Sequence, residues 1–91
     1  MKKLFELGKL VGTPGALEAI RASGDDLGDY LNRHMTGDWG DVSDPDVYEN
    51  QYALEHGLRL LSSYKLSSGQ RIWIITEADR SSTCILLPEE Y

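Results

Sequence analysis

The chain has 91 residues, of which 41 % are apolar and 26 % are charged, a composition typical of a single folded domain over residues 1–91. Its formal net charge of −6 argues against a broad phosphate-binding face, because nucleic-acid affinity comes largely from Lys and Arg neutralising phosphates. Direct binding to nucleic acid is therefore not expected.

Cysteine usage and hydropathy narrow the setting further. The single cysteine, Cys84, excludes an internal disulfide, and we expect it to be a buried structural thiol in a reducing, cytoplasmic compartment. No apolar run approaches the roughly 18–20 residues of a membrane span, so no membrane association is expected. Glu6 and Lys9 interrupt the apolar stretch near the start of the chain, which argues against a signal peptide.

The first third of the chain predicts one helix after a short ambiguous segment. The apolar positions of Leu4–Val11 fit either a short strand or a helical turn, and their period does not decide between the two. Thr13 can cap a helix in which Pro14 takes the first helical position. Gly24 ends this helix, since glycine tolerates the left-handed conformation common there.

Two more helices are predicted in the middle of the chain. The second spans Asp26–Met35 and has a single apolar face. The third spans Pro45–His56, begins at the Asp44-Pro45 cap and is closed by Gly57. The apolar side of this third helix is assigned to Val47, Tyr48, Tyr52, Ala53 and Leu54.

After Gly57 the apolar period changes to two, which is typical of strands. Three strands are predicted over Leu58–Leu66, Arg71–Thr76 and Ser82–Leu87, the second being central because it is rich in Ile and Trp. The predicted fold class is α+β, with N-terminal helices packed on one face of a C-terminal three-stranded antiparallel meander. Trp73, on the central strand, is assigned to the core.

The charge is unevenly distributed. Residues 24–50 hold eight acidic side chains against Arg33 alone, whereas residues 1–23 hold four basic and two acidic side chains. One interpretation is a solvated surface with helix-capping Asp residues. The other is a negative face that docks on a basic protein surface. Its binding residues would be Asp38, Trp39, Asp41, Asp44 and Asp46.

Trp39 has two interpretations of its own, because it lies between Gly37-Asp38 and Gly40-Asp41. It is either an exposed anchor for a partner or a core side chain that pins the loop. The neighbouring His34, Asp38 and Asp41 could bind a metal or move a proton. Their spacing matches no known metal motif, and a cationic His34 near a helix C-terminus beside turn-capping Asp residues is favoured. No metal and no cofactor are predicted.

A second candidate site surrounds the turn between the last two strands. A carboxylate, an arginine and hydroxyls on one sheet can form a metal-independent ribonuclease site, in which the carboxylate takes a 2′-hydroxyl proton and the arginine holds the phosphate. The residues would be Arg59, Glu77, Arg80 and Thr83. The alternative, which is favoured, is a turn stabilised by an Asp79–Arg80 or Glu77–Arg59 pair.

Three segments resemble a group of small bacterial proteins carried on plasmids, prophages and integrated elements. They are Gly37–Asp41 (GDWGD), Ile75–Ser81 (ITEADRS) and Leu86–Tyr91 (LLPEEY), and the resemblance runs from about Thr13 to Tyr91. Some members bear the label of a type I restriction subunit, but 91 residues leave no room for a methyltransferase domain. The resemblance transfers no catalytic residue. It implies an accessory or counter-defence factor of a mobile element.

Three functions follow as hypotheses. The favoured one is a non-catalytic acidic module that binds a basic host or element-encoded protein, in the manner of an anti-restriction or anti-CRISPR inhibitor or a nucleic-acid mimic. The second is the ribonuclease built on Arg59, Glu77, Arg80 and Thr83. The third is a homo-oligomeric structural protein, which an uncovered apolar sheet face or an open edge strand would favour.

Overall fold

The computed structural model describes residues 2–91, which form three α-helices and one four-stranded sheet. In chain order the elements are β1 (Lys9–Gly12), α1 (Pro14–Ser23), α2 (Leu27–Met35), α3 (Asp44–His56), β2 (Leu60–Lys65), β3 (Arg71–Thr76), β4 (Ser82–Leu86) and a 3-10 turn over Pro88–Glu90.

Each helix begins where a polar side chain accepts a hydrogen bond from a free backbone amide. Thr13 accepts from the amide of Ala16 at 3.0 Å, and Asp26 accepts from that of Gly28 at 2.9 Å. The predicted Thr13 cap is confirmed. The third helix begins one residue before its predicted start, because Ser43 and not Asp44 is its cap.

The strand order is β1-β4-β3-β2, with β1 parallel to β4 and the other pairs antiparallel. The α+β class is confirmed and β3 is internal as predicted, but the three-stranded antiparallel meander is wrong because β1 adds a fourth, parallel strand. This strand has only four residues, and it pairs with the far end of the chain, Lys9 lying opposite Ser82. A segment this short carries little periodic signal, and its partner is chosen only by the tertiary fold.

One face of the sheet carries the main core. Apolar side chains of α1 and α2 cover this face and exclude water from it. The cluster comprises Ala16, Ala19, Ile20, Leu31, Tyr64, Leu66, Ile72, Ile74, Ile85 and Leu87. Full burial of a side chain of this size contributes roughly 1.5–3 kcal/mol, so this cluster is the largest source of stability in the fold.

A second, smaller cluster lies where the N-terminal segment, the 37–41 loop and α3 meet β2. It consists of Phe5, Trp39, Ala53 and Leu60. Trp39 is only 4 % exposed and stacks on Phe5 with ring centroids 6.3 Å apart. The exposed-anchor interpretation of Trp39 is therefore wrong, because its ring fills this cluster and pins the loop.

The outer edge of β2 is closed by other parts of the chain. The side-chain amide of Asn50, which is buried on α3, donates to the carbonyl of Leu61 at 2.8 Å and accepts from its N–H at 3.2 Å. The N–H of Ser63 donates to the carbonyl of Trp39, and its carbonyl accepts from the N–H of Asp41. Asn50 and the 39–41 segment thus take the place of a further strand.

Substituting Gly40 tests how closely that segment approaches β2. Gly40 has φ +74°, and a Cβ there would lie 2.1 Å from the carbonyl oxygen of Ser63. We expect Gly40→Ala to lower the unfolding free energy by about 3–4 kcal/mol, as left-handed strain and overpacking add.

Gly24→Ala is the matched control, because Gly24 has φ +79° and its added Cβ meets no atom of residues 2–91 within 4 Å. It should cost only about 1–2 kcal/mol. Urea denaturation gives both values, and equal losses in the two variants would contradict the close approach.

Candidate functional site

His34 of α2 is the residue that the sequence suggests for metal binding or proton transfer. Its side chain is 0 % exposed and lies inside the protein between α2 and the sheet. The Nδ1 atom is 2.5 Å from the hydroxyl of Ser62, and Nε2 is 2.9 Å from that of Thr76. Both ring nitrogens are thus occupied within the protein, which leaves none for a metal, and the predicted cationic ring is wrong because burial lowers the pKa of His34 to about 4.

The direction of the hydrogen bonds fixes the tautomer of His34. The hydroxyl of Thr83 donates to the carbonyl of Leu7 at 2.8 Å, so Thr83 has no proton left for Thr76, 2.7 Å away. Thr76 must then donate to Thr83 and accept from Nε2–H of His34. Nδ1 then accepts from the hydroxyl of Ser62. With a neutral imidazole, each hydrogen bond in this series therefore has one donor and one acceptor.

Burial sets the protonation state of the same ring. Removal from water, reinforced by the nearby positive charge of Arg80, lowers the pKa of His34 from 6.5 to about 4. At neutral pH this imidazole is an internal structural link. It has no free position with which to take a proton from a substrate.

Asp38 and Asp41, the proposed neighbours of His34, are each paired with a different arginine. Asp38 accepts from Nε of Arg33 at 2.7 Å, and this hydrogen bond lowers the pKa of its carboxyl below the usual value. Asp41 lies 3.0 Å from Nη1 of Arg71. Within residues 2–91, no group of three His, Cys, Asp or Glu side chains is arranged to hold a metal ion.

The four residues proposed for a ribonuclease do not form one site. Thr83 is fully buried on the core face of the sheet. Arg59 and Glu77 do meet, at 3.2 Å, but they form an exposed ion pair. The favoured interpretation of this pair as a structural contact agrees with that geometry.

Arg80 is occupied by the backbone. Its guanidinium donates to four carbonyl groups at 2.6–3.1 Å, those of Ala53, Leu58, Glu77 and Ala78. The carbonyl of Ala53 lies in the last turn of α3, where it also accepts from the amides of Gly57 and Leu58. Arg80 therefore joins the end of α3 to the β3–β4 turn, and it presents no free fork to a phosphate.

The remaining singled-out residues lie on the other face of the sheet. Trp73 is half-buried, so its assignment to the core is only partly right, and its ring meets that of Tyr91 edge-on with centroids 5.6 Å apart. Cys84 is a half-buried free thiol whose pKa is raised by burial. A raised pKa favours the unreactive thiol form, in keeping with a structural role.

A groove lies between α3 and this second sheet face. It has a volume of about 720 Å³. Leu61, Trp73 and Ile75 of the sheet lie on one side, and Tyr48 and Tyr52 of α3 lie on the other. The remaining lining residues are Asp46, Glu49, Asn50, Ala53, Leu58, Arg59 and Tyr91.

Large apolar side chains are unusually exposed around this groove. Tyr48 is 75 % exposed, Tyr91 71 % and Tyr52 57 %. Exposed aromatic rings gathered at one concavity, and not scattered singly over the surface, are typical of binding sites. We call this surface, with the lining residues given above, the α3 groove.

The α3 groove also carries negative charge. Asp46 and Glu49 of α3 line it, and no salt bridge among residues 2–91 involves either carboxylate or that of Asp44 in the same helix. The basic side chain in the lining, Arg59, is already paired with Glu77. Uncompensated charge in the groove is therefore acidic.

The aromatic residues of this groove were missed as site residues at the sequence level. Tyr48 and Tyr52 were assigned to the buried side of α3, whereas Asn50 and Ala53 are the residues of this helix that are buried. The signal was the polar tip of tyrosine, which allows its ring to remain partly in water. Sequence alone did not reveal which of two adjacent helical stripes faces the protein.

Comparisons with protein-family models, with curated proteins and with solved structures found no match. Among residues 2–91, no helix is long and apolar enough to cross a membrane.

The buried His34 predicts a specific dependence of stability on pH. Because its pKa is about 4 in the folded state and 6.5 when unfolded, the unfolded chain binds more protons between these values. The stability that the lowered pKa of His34 contributes is fully present above pH 6.5 and is lost on acidification. From pH 7 to pH 5 we expect the unfolding free energy to drop by about 2 kcal/mol, measured by urea titration at each pH.

His34→Gln removes the titrating group and should abolish this slope. His56→Gln is the control for a histidine substitution as such, because His56 is half-exposed and lies outside the hydrogen bonds to Ser62 and Thr76. Carboxyl groups titrate mainly below this window. A slope that survives in His34→Gln would show that another group is responsible.

Arg80 predicts a difference between two arginine truncations. Arg80→Ala leaves four carbonyls without their charged donor and should destabilise the protein by about 2–4 kcal/mol. Arg59→Ala breaks only an exposed ion pair and should cost no more than about 1 kcal/mol. Thermal or chemical denaturation measures both, and similar losses would refute the linking role of Arg80.

Proposed function

We propose that this protein is a non-catalytic protein-binding module, and that it binds a basic, partly apolar surface segment of another protein in the α3 groove. The observation that carries the proposal is the meeting of exposed aromatic rings and unpaired carboxylates in one concavity of about 720 Å³. The occupant that fits both features presents apolar side chains flanked by Lys or Arg.

The apolar half of the groove supplies the area for affinity. Binding hot spots are enriched in Trp, Tyr and Arg, and they concentrate where aromatic side chains are withdrawn from water. Trp73 and Tyr91 meet edge-on, and Arg59 donates a 3.3 Å hydrogen bond to the Tyr91 hydroxyl. A partner side chain placed against these rings would withdraw them further from water.

The acidic half supplies charge complementarity. Asp46 and Glu49 lie on one side of the groove, and the acidic segment 24–50 to which they belong extends beyond it. Opposite charge speeds association and fixes orientation, and its effect weakens with salt. A protein surface that normally binds nucleic acid has the basic character required, which retains the nucleic-acid-mimic hypothesis in a more specific form.

The binding residues differ from those first proposed in the 38–46 segment. Trp39 is buried, and Asp38 and Asp41 are neutralised by Arg33 and Arg71. Asp46 is retained, and Glu49 joins it from the next turn of α3. The ribonuclease alternative has no assembled site to support it, because Thr83 and Arg80 are occupied within the fold.

The test is capture of the partner from a lysate of the source cell, followed by affinity measurement with the purified partner. Wild type should bind at low salt and release on raising the salt. The double variant Asp46→Asn/Glu49→Gln should bind at least about tenfold more weakly, equivalent to about 1.4 kcal/mol. Tyr48→Ala should weaken binding without altering stability, because this ring is 75 % exposed.

The matched control removes the same charge elsewhere. Asp26→Asn/Asp29→Asn alters two acidic residues of the same segment that do not line the groove, and Asn caps a helix as well as Asp does. This variant should retain binding. An equal loss in both double variants would mean that diffuse acidity and not the groove determines binding. Absence of a captured partner at either salt would overturn the module proposal.

A further inference from the structure

The two edges of the sheet differ in a way that the proposed function does not use. The edge at β2 is closed by Asn50 and by the 39–41 segment. The edge at β1, the other terminal strand in the order β1-β4-β3-β2, has no such cover, because no loop or side chain among residues 2–91 donates to or accepts from the backbone of Leu10 or Gly12. Leu10 and Val11 of this strand are 49 % and 41 % exposed. An open apolar edge is a template for a further strand.

The hydrogen-bonding direction of β1 shows which groups are available. The amides of Lys9 and Thr13 donate inward, to the carbonyls of Ser81 and Ile85 beside β4, each at 2.9 Å. The N–H and C=O groups of successive residues alternate in direction along a strand, so those of Val11 also face β4. The N–H and C=O groups of Leu10 and Gly12 face away from the sheet and are available to a further strand.

We propose that two copies of this chain pair through β1, antiparallel, about a two-fold axis at Val11. In this register Leu10 of each copy lies opposite Gly12 of the other, and the two pairs exchange four backbone hydrogen bonds. Val11 lies opposite Val11 of the second copy as a non-hydrogen-bonded pair, in which side chains approach most closely. The two sheets then join into one of eight strands.

The side chains beside this edge are self-complementary. Gly12 has no side chain, and the space that its Cβ would fill is taken by Leu17 of α1, whose Cδ2 lies 2.9 Å from that position. Leu17 is itself 44 % exposed. Because Leu10 of the second copy lies opposite Gly12, it meets Leu17, and symmetry repeats the contact. The proposed pairing thus covers three exposed apolar residues, Leu10, Val11 and Leu17.

Charge favours a second copy over a strand of a strongly basic partner at this edge. Residues 1–23 carry a small positive balance, whereas the acidic excess lies in residues 24–50. The basic residue of β1, Lys9, lies opposite Thr13 of the second copy in this register and not opposite another lysine. Two negatively charged chains therefore meet through a part of each that is not negative.

The proposed interface is small, so the dimer should be weak. Four hydrogen bonds and three apolar side chains per copy place it at the low end of specific interfaces, with a dissociation constant on the order of 10–100 µM. Sedimentation equilibrium from about 5 µM to 1 mM should show a concentration-dependent monomer–dimer equilibrium. In wild type, exchange of the Leu10 and Gly12 amides should slow as concentration rises, whereas Val11 should be protected throughout.

Val11→Lys places two like charges face to face on the axis and should weaken the dimer at least tenfold, a change of about 1.4 kcal/mol. Leu58→Lys is the matched control, because Leu58 is 45 % exposed but lines the α3 groove. It should leave the dimer unchanged. Circular dichroism and thermal denaturation confirm that both variants fold.

A strict monomer at about 1 mM would overturn the proposal. So would a dimer that Leu58→Lys disrupts and Val11→Lys does not, because self-association would then use the groove. The concentration-dependent protection of Leu10 and Gly12 is measured on wild type, so it tests the pairing even if Val11→Lys proves unstable. The α3 groove lies toward the β2 edge of the sheet, whereas the proposed dimer forms at the β1 edge. The two proposals can therefore be tested separately.

Discussion

The neutral imidazole of His34, held inside the protein by two hydroxyl groups, is the interaction on which the arrangement of this small domain depends. It attaches α2 to β2 through Ser62 and to β3 through Thr76. Through Thr76 and Thr83 the same chain of hydrogen bonds reaches the carbonyl of Leu7, just before β1. A buried polar group left without its partner is costly, so these hydrogen bonds favour the joint assembly of the elements that they link.

Hydrogen bonds at the sheet edges determine where the two proposed binding surfaces lie. Asn50 uses the mid-helix position of α3 to imitate a strand, and Arg80 fastens the end of that helix to the β3–β4 turn. Together these contacts set α3 against β2 and leave the groove open beside the second sheet face. At the other side, β1 ends the sheet without such protection. One edge of the sheet is covered and the other is open, and this difference places the two proposed binding surfaces at opposite edges.

The proposed function is one of recognition. Four side chains that were candidates for chemistry are engaged within the fold: His34 is internal, Asp38 and Asp41 are paired, and Arg80 is bound to carbonyls. What remains free is aromatic surface and carboxylate charge on α3. Such a combination suits a partner with a basic and apolar segment, which places the acidic composition of the chain in a defined concavity.

The sequence by itself determined the local features, namely three helices with the Thr13 cap of the first, three antiparallel strands and the excess of acid in residues 24–50. Capping, glycine termination and strand period are properties of neighbouring residues, so Thr13, Gly24 and Arg71–Thr76 could be assigned correctly. Only the tertiary structure decided that β1 joins β4, that His34 is internal and that Tyr48 and Tyr52 face outward. These outcomes depend on contacts between distant residues, and a four-residue strand, a lone histidine or a pair of tyrosines carries no local signal that selects a distant partner.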